Sequence, residues 1–114
     1  KDMYILLQSL PFGSGRRNVG IYYKELSTAT DFDTPENIAQ EWDGRYQVTQ
    51  KASAYSTMIQ QKDGSIAFVY EEDTYCTNGG GYTIAYKNLT IEEITAGKYS
   101  FNEKVNRKKF LKKL

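Results

Sequence analysis

Runs of apolar residues, some alternating with polar ones and some continuous, divide this chain into six segments that we predict to be β-strands. Polar connections or turns rich in Gly and Pro separate these segments, and each has the length of an ordinary strand. The predicted strands cover residues 4–10, 17–24, 42–49, 55–59, 66–70 and 82–88. The pattern therefore favours an all-β chain built from antiparallel strands.

The clearest local signal is a β-hairpin whose turn contains Asp63-Gly64. This dipeptide favours a two-residue turn in which both central residues have positive φ. A strand-like segment precedes the turn, and a continuous apolar run typical of a buried strand follows it. Folding back at this turn brings Tyr55 and Glu71 to the same edge of the sheet, where loops and binding sites usually lie.

Capping patterns predict two short helices. Thr34 precedes Pro35, so we expect Thr34 to be the N-cap and Pro35 the first helical residue. Thr90 stands three residues before Glu93 in a capping-box pattern, and the second helix should run to residue 96 and stop at Gly97.

Three motifs in a fixed order carry a family resemblance. One is Tyr55-Ser followed by the Asp-Gly turn and a strand that ends in Tyr70-Glu71; the others are Arg16-Arg-Asn-Val-Gly-Ile-Tyr-Tyr23 and Gly80-Gly-Tyr-Thr-Ile-Ala-Tyr86. Together they resemble the last part of bacterial exo-α-sialidases (neuraminidases). The resemblance covers about residues 4–97. Three ordered motifs at family-like spacing are more specific than any single one.

The resemblance implies a fold. It predicts antiparallel four-stranded blades that form the closing part of a six-bladed β-propeller, with a short C-terminal helix. Because a whole propeller needs several times 114 residues, we expect residues 1–100 to be an incomplete domain, the C-terminal blades of a larger enzyme. Residues 101–114, with six basic residues and one acidic residue, would be a basic tail or helix lying on its surface.

The resemblance also implies roles for three residues. Tyr55 matches the catalytic nucleophile, and Arg16 matches one arginine of the triad that clamps the substrate carboxylate through paired charge-assisted hydrogen bonds. We prefer Arg16 to Arg17 because adjacent residues of a strand point to opposite faces. Glu71 matches the glutamate that orients another, upstream arginine. We interpret Glu72 and Asp73 as solvated loop charges.

The implied reaction is retaining hydrolysis of terminal sialic acids on glycoproteins, glycolipids and oligosaccharides. A neutral phenol suits this substrate, since a carboxylate nucleophile would be repelled by the carboxylate of the sugar. A phenol is mostly un-ionised at neutral pH and needs a base beside it. That base, the general acid and two arginines have no match in this sequence, so we expect the 114-residue piece alone to be inactive.

Composition narrows the remaining possibilities. Histidine is absent and Cys76 is the single cysteine, so a Cys/His metal site, an internal disulfide and a histidine-based triad are excluded, and no cofactor is implied. A mean hydropathy of −0.64 excludes a transmembrane segment. A solvated tail or surface helix is a commoner role for such a basic segment than a nucleic-acid patch, so no nucleic-acid partner is expected. The implied location is secreted, periplasmic or on the cell surface.

Two other functions stay open. The chain could belong to a non-catalytic propeller that binds sialic acid, or to a protein-interaction propeller in which Tyr55 and Arg16 are only structural. Substitution of these two residues separates the alternatives, because the enzyme needs both and an interaction scaffold needs neither.

Overall fold

The structure, a computed structural model, describes residues 3–78 and 80–102. The basic tail expected at 101–114 therefore lies, from residue 103 onward, outside the described residues. The described part contains six strands, a 3₁₀ turn at Ala29–Phe32 and two short helices, α1 (Pro35–Ala39) and α2 (Ile91–Ile94). The strands are β1 (Tyr4–Pro11), β2 (Val19–Leu26), β3 (Gly44–Gln47), β4 (Ser53–Gln60), β5 (Ile66–Glu72) and β6 (Thr83–Leu89). The all-β expectation is confirmed.

The six strands form two antiparallel sheets, in the order β1-β2-β3 and β4-β5-β6. All strand pairs are formed between neighbours in the sequence, so each sheet is a simple meander. Each sheet has three strands in the described part of the chain. The edge strands β1 and β4 of the two sheets are in contact, and Ser56 Oγ there donates a hydrogen bond to Ser9 Oγ at 2.8 Å.

The core lies between the inner faces of the two sheets. Every second residue of β2 and β5 points into it, as strand geometry requires. Phe68 and Ile21 are fully buried there. The buried core residues are Val19, Ile21, Tyr23, Val48, Ile66, Phe68, Tyr70, Leu89, Ile91 and Ile94. Helix α2 thus contributes both of its isoleucines to one continuous core.

Two strands have bounds that differ from the predicted ones. Strand β2 begins at Val19 instead of residue 17, because Asn18 has a φ of 61° and interrupts the extended backbone. Strand β3 begins at Gly44 instead of residue 42 and ends at Gln47. Trp42, which we expected at the start of that strand, instead stacks on Tyr22 with ring centroids 5.7 Å apart.

The β4–β5 turn differs from the predicted two-residue turn. Gln61 N–H donates to the carbonyl of Ser65 and Gly64 N–H donates to the carbonyl of Gln61, which makes a three-residue loop of residues 62–64. Gly64 has a φ of 87°, whereas Asp63 is not left-handed. Asp63 Oδ1 instead accepts hydrogen bonds from the hydroxyl and the N–H of Ser65, which lower the pKa of Asp63. The prediction of a hairpin is confirmed and that of its turn type is wrong.

The two predicted helix caps are confirmed. Thr34 Oγ1 accepts a hydrogen bond from Asn37 N–H, and Thr90 Oγ1 accepts one from Glu93 N–H, each at 3.1 Å. Helix α2 ends at Ile94, two residues earlier than predicted. Left-handed backbone at residues 96 and 97 then turns the chain back towards the core.

Tyr99 gives a pH-dependent test of this packing. Burial, and then a hydrogen bond from its hydroxyl to Glu25 Oε1 at 3.1 Å, raise the pKa of Tyr99 to about 12. Because this pKa lies above the unfolded value of about 10, the protonated phenol stabilises the fold fully below pH ~10, and that stability is lost as the pH rises towards 12. Urea unfolding across this window should show the loss. Tyr99→Phe should reduce this loss but not remove all of it, because the pKa of Tyr70 is also raised. An unchanged pH dependence in Tyr99→Phe would contradict the assignment.

Candidate functional site

Arg16 and Tyr55 come together on an exposed part of the surface, where the loop before β2 meets the start of β4, and we call this pair the Arg16–Tyr55 site. One guanidinium nitrogen of Arg16, Nη2, donates to the hydroxyl of Tyr55 at 3.5 Å, and Arg16 Cζ lies 5.2 Å from the centroid of the tyrosine ring. Both side chains are exposed, and 69% of Tyr55 is accessible to solvent. The expected convergence of these two residues is therefore present in the structure.

A β-bulge in β4 presents Tyr55 to solvent. Ser53 pairs with Glu72 and Ser56 pairs with Tyr70, so β4 has one more residue than β5 between these pairs. Ala54 and Tyr55 oppose the single residue Glu71, and a bulge of this kind re-aims the side chains that it contains. The sequence motif does not reveal the bulge, which decides where the phenol points.

The loop before β2, and not a strand, places Arg16. Gly13 N–H donates to the carbonyl of Arg17, and Gly15 has a φ of 72°, which closes a tight turn just before the arginine pair. Arg17 then forms an isolated bridge with Ala52. The choice of Arg16 over Arg17 agrees with the contact to Tyr55, but the strand-register reason for it was wrong, because β2 begins only at Val19.

Glu71 lies at the same end of the hairpin as Tyr55, as the sequence predicts. It is half-buried, opposes the β4 bulge on one side and pairs with Ile84 of β6 on the other. Its assigned role needs an arginine from the upstream part of a propeller. The orienting role of Glu71 thus stays a prediction.

Glu72 is a hydrogen-bonding hub, which corrects its interpretation as a solvated loop charge. Its Oε1 accepts from Thr49 Oγ1 at 2.6 Å and from the hydroxyl of Tyr70 at 3.4 Å, while Oε2 accepts from Thr74 Oγ1 at 3.3 Å. Burial, and then the negative charge of Glu72, raise the pKa of Tyr70. This carboxylate therefore joins the loops on either side of the site and, with burial, favours the neutral form of the Tyr70 phenol.

Asp73 also departs from the interpretation as a solvated charge, since only 2% of it is exposed. Its Oδ1 accepts from the N–H and the hydroxyl of Thr77, and its own N–H donates to the carbonyl of Ala52 at 2.8 Å. Lys51 Nζ donates to the carbonyl of Thr74 at 3.1 Å. These bonds tether the loop after β5 beside the start of β4, and they leave Tyr75 exposed at its tip.

A depression lies around α1 and differs from the Arg16–Tyr55 site in chemistry. Its lining is polar: Lys24, Thr30, Asp31, Glu36, Asn37, Gln40 and Glu41. The ammonium group of Lys24 donates to the backbone carbonyls of Asn37 and Gln40, so this cation closes the end of α1. The depression has no aromatic side chain in its lining. The Arg16–Tyr55 site is the stronger candidate.

The described residues also limit other kinds of site. Among residues 3–78 and 80–102, no group of three or more His, Cys, Asp or Glu side chains is arranged to hold a metal ion. None of the helices in that part of the chain has the length and apolar character to cross a membrane.

No protein-family model and no curated protein matches this chain. The functional argument therefore rests on the site's own residues and geometry.

Proposed function

We propose that this chain is the C-terminal part of the catalytic β-propeller of a retaining exo-α-sialidase, which removes terminal sialic acids from glycoconjugates. The observation that carries the proposal is the contact between the Arg16 guanidinium and the hydroxyl of Tyr55, 3.5 Å apart and exposed to solvent. A cation and a nucleophilic hydroxyl in contact suit a substrate whose reacting carbon carries a carboxylate.

Arg16 would bind the carboxylate of the sugar. A guanidinium group offers parallel N–H donors that match the two oxygens of a carboxylate, and it stays charged at every physiological pH. Its contact with the ring of Tyr55 leaves it exposed, so a substrate can reach it. The clamp would hold the anomeric carbon of the sugar next to the phenol.

Tyr55 would attack that carbon. The tyrosine oxygen forms a bond to the anomeric carbon as the bond to the departing sugar oxygen breaks, and water later cleaves the sialyl-tyrosine with net retention. Arg16 donates to the phenol oxygen, which leaves the phenol proton available for a base. That base, and the acid that protonates the leaving oxygen, would come from the upstream part of the enzyme.

The outer faces of the fold are compatible with neighbouring propeller blades. The face of the second sheet that points away from the core carries three large exposed apolar side chains, Ile59, Ile84 and Tyr86. A neighbouring blade that packs against this face would cover these three side chains. Four-stranded blades would require strands beyond the six described here. A secreted, periplasmic or cell-surface location follows from the same proposal.

A sialic-acid-binding propeller without catalysis is the second candidate. It is favoured by the fact that the described hydrogen bond of the Tyr55 hydroxyl is to a cation and not to a base. Such a protein would keep the carboxylate clamp and lose turnover. A protein-interaction scaffold would need neither residue, and no contact at the Arg16–Tyr55 site specifically favours such a scaffold.

Substitution of the arginine pair tests the carboxylate clamp. In the full-length protein that carries these residues, Arg16→Ala should weaken the binding of N-acetylneuraminic acid about 10- to 100-fold, because a charge-assisted pair contributes ~1.5–3 kcal/mol. Arg17→Ala is the matched control and should change the affinity less than about threefold. Titration calorimetry with the free acid and its uncharged methyl ester measures both effects. Equal affinity for acid and ester would contradict the clamp.

A further inference from the structure

Ser53 is a fully buried hydroxyl at the junction of the two sheets, next to the candidate site. It is the first residue of β4 and stands two residues before Tyr55. Ser53 belongs to residues 51–53, which run antiparallel to residues 16–19. We call these two short segments the cross-sheet brace. The brace contains Arg16 itself, and Tyr55 lies just beyond it.

Both hydrogen-bonding functions of the Ser53 side chain are used inside the brace. Its Oγ accepts from the N–H of Val19 at 2.9 Å and donates to the carbonyl of Lys51 at 3.1 Å. Val19 is also fully buried, so its N–H has no access to water. A buried donor that loses its partner is costly, which makes this hydroxyl hard to replace.

Backbone hydrogen bonds align the rest of the brace. Ser53 N–H donates to the carbonyl of Arg16 at 3.0 Å, and Asn18 N–H donates to the carbonyl of Lys51 at 3.1 Å. These bonds join the segment that carries the guanidinium to the strand that carries the phenol. The Ser53 hydroxyl is the side-chain group that fixes the inner end of this alignment.

We propose that Ser53 is a positioning residue for the Arg16–Tyr55 pair. It touches neither a substrate nor the reacting atoms, and it acts by fixing the spacing between the loop before β2 and the bulge of β4. The effect on substrate rests on the proposed sialidase function, whereas the effect on the Arg16–Tyr55 distance does not. The two effects are therefore measured separately.

Ser53→Ala leaves the buried N–H of Val19 without its acceptor. We expect the loop before β2 to shift away from β4 so that this N–H can find another partner, and the guanidinium then leaves the ring of Tyr55. Ser53→Cys keeps a weak acceptor and donor at the same position and should show a smaller loss. If the alanine variant does not fold, the cysteine variant carries the test.

Ser56→Ala is the matched control. Ser56 also lies in β4 and its hydroxyl also bonds to the first sheet, but its partner is the hydroxyl of Ser9 in β1, outside the brace. This variant removes one hydroxyl and one cross-sheet hydrogen bond, as Ser53→Ala does. It should leave the Arg16–Tyr55 contact unchanged.

The first measurement is the nuclear Overhauser effect between the Tyr55 ring and the Arg16 side chain, without ligand. It should be present in the wild-type protein and in Ser56→Ala, lost in Ser53→Ala and weakened in Ser53→Cys. An undiminished effect in a folded Ser53→Ala variant would overturn the proposal. This result is independent of whether the protein binds any sugar.

The second measurement is the affinity for N-acetylneuraminic acid in a double-mutant cycle. Ser53→Ala should weaken binding about 10-fold in the wild-type background and less than about twofold in an Arg16→Ala background, because the arginine that it positions is already gone. Equal losses in both backgrounds would mean a general structural role and would overturn the positioning role. If the wild-type protein does not bind the acid, the proposed function fails, and the ligand-free measurement still decides the role of Ser53.

Discussion

Replacing Tyr55 with phenylalanine should abolish or redirect sialidase turnover in the full-length protein while leaving sialic-acid binding within a fewfold of wild type. The phenol oxygen is the atom that would form the covalent bond, and removal of a nucleophile typically lowers kcat by about 10³-fold or more. Arg16 and the carboxylate clamp are retained in this variant. Residual hydrolysis by direct water attack would invert the anomeric centre, and NMR of the freshly released sugar reads this stereochemistry.

Tyr75→Phe is the matched control for that experiment. Tyr75 is an exposed tyrosine in the loop that is tethered beside the start of β4, but it is not in the Arg16 contact. It should keep wild-type kcat and retention. Full retaining activity in Tyr55→Phe would contradict the nucleophile assignment. Equal losses of kcat in both variants would indicate a general effect on the structure of the site.

Replacing Phe68 with alanine should have the largest effect on stability. Phe68 is fully buried in the middle of β5 and its ring packs on Tyr70 with centroids 5.4 Å apart. Removing a buried phenylalanine side chain loses its transfer free energy and leaves a cavity between the two sheets, at a cost of about 3–5 kcal/mol. Because single domains are stable by only ~5–15 kcal/mol, the variant should unfold at much lower urea concentration.

Tyr86→Ala is the matched control for the core. Tyr86 lies in the adjacent strand β6, but its ring is on the outer face of the sheet and is 58% exposed. The same aromatic-to-alanine change should cost about 1 kcal/mol or less there when the 114-residue chain is measured alone, because no neighbouring blade then covers this face. A larger loss for Tyr86→Ala than for Phe68→Ala would mean that the core does not lie between the two inner faces. If both variants lose several kcal/mol in the free energy of unfolding, the outer face is itself covered in solution.

Local sequence signals predicted much of the fold, because helix caps and turns depend on residues that are close to each other in the sequence. Thr34 and Thr90 are followed at the right distance by the N–H groups that they cap, so both helix starts were found. The hairpin around Gly64 was also found, since a glycine between two strand-like runs is a strong turn signal. Its turn type was missed because the Asp63 side chain bonds to Ser65 within a three-residue loop, in which Gly64 has positive φ and Asp63 does not.

The candidate site was found only in part. Arg16 and Tyr55 were identified from a family resemblance, and their contact depends on a bulge at residues 54–55 that no motif announces. Glu72 and Ser53 were missed, because their partners Thr49 and Val19 lie 23 and 34 residues away. Hydrogen bonds between residues so far apart in the sequence depend on how the two sheets pack. The pattern of neighbouring residues does not show this packing.

Covalent trapping of the nucleophile tests the central claim most directly. A sialosyl fluoride that carries a second fluorine at C3 reacts with the nucleophile as its anomeric carbon–fluorine bond breaks, and the C3 fluorine slows hydrolysis of the product. After incubation of the full-length protein and proteolysis, mass spectrometry should find the 3-fluorosialyl group on the oxygen of Tyr55, and no such peptide in Tyr55→Phe. A label on another residue of an active enzyme, or an active enzyme that is never labelled, would contradict the account.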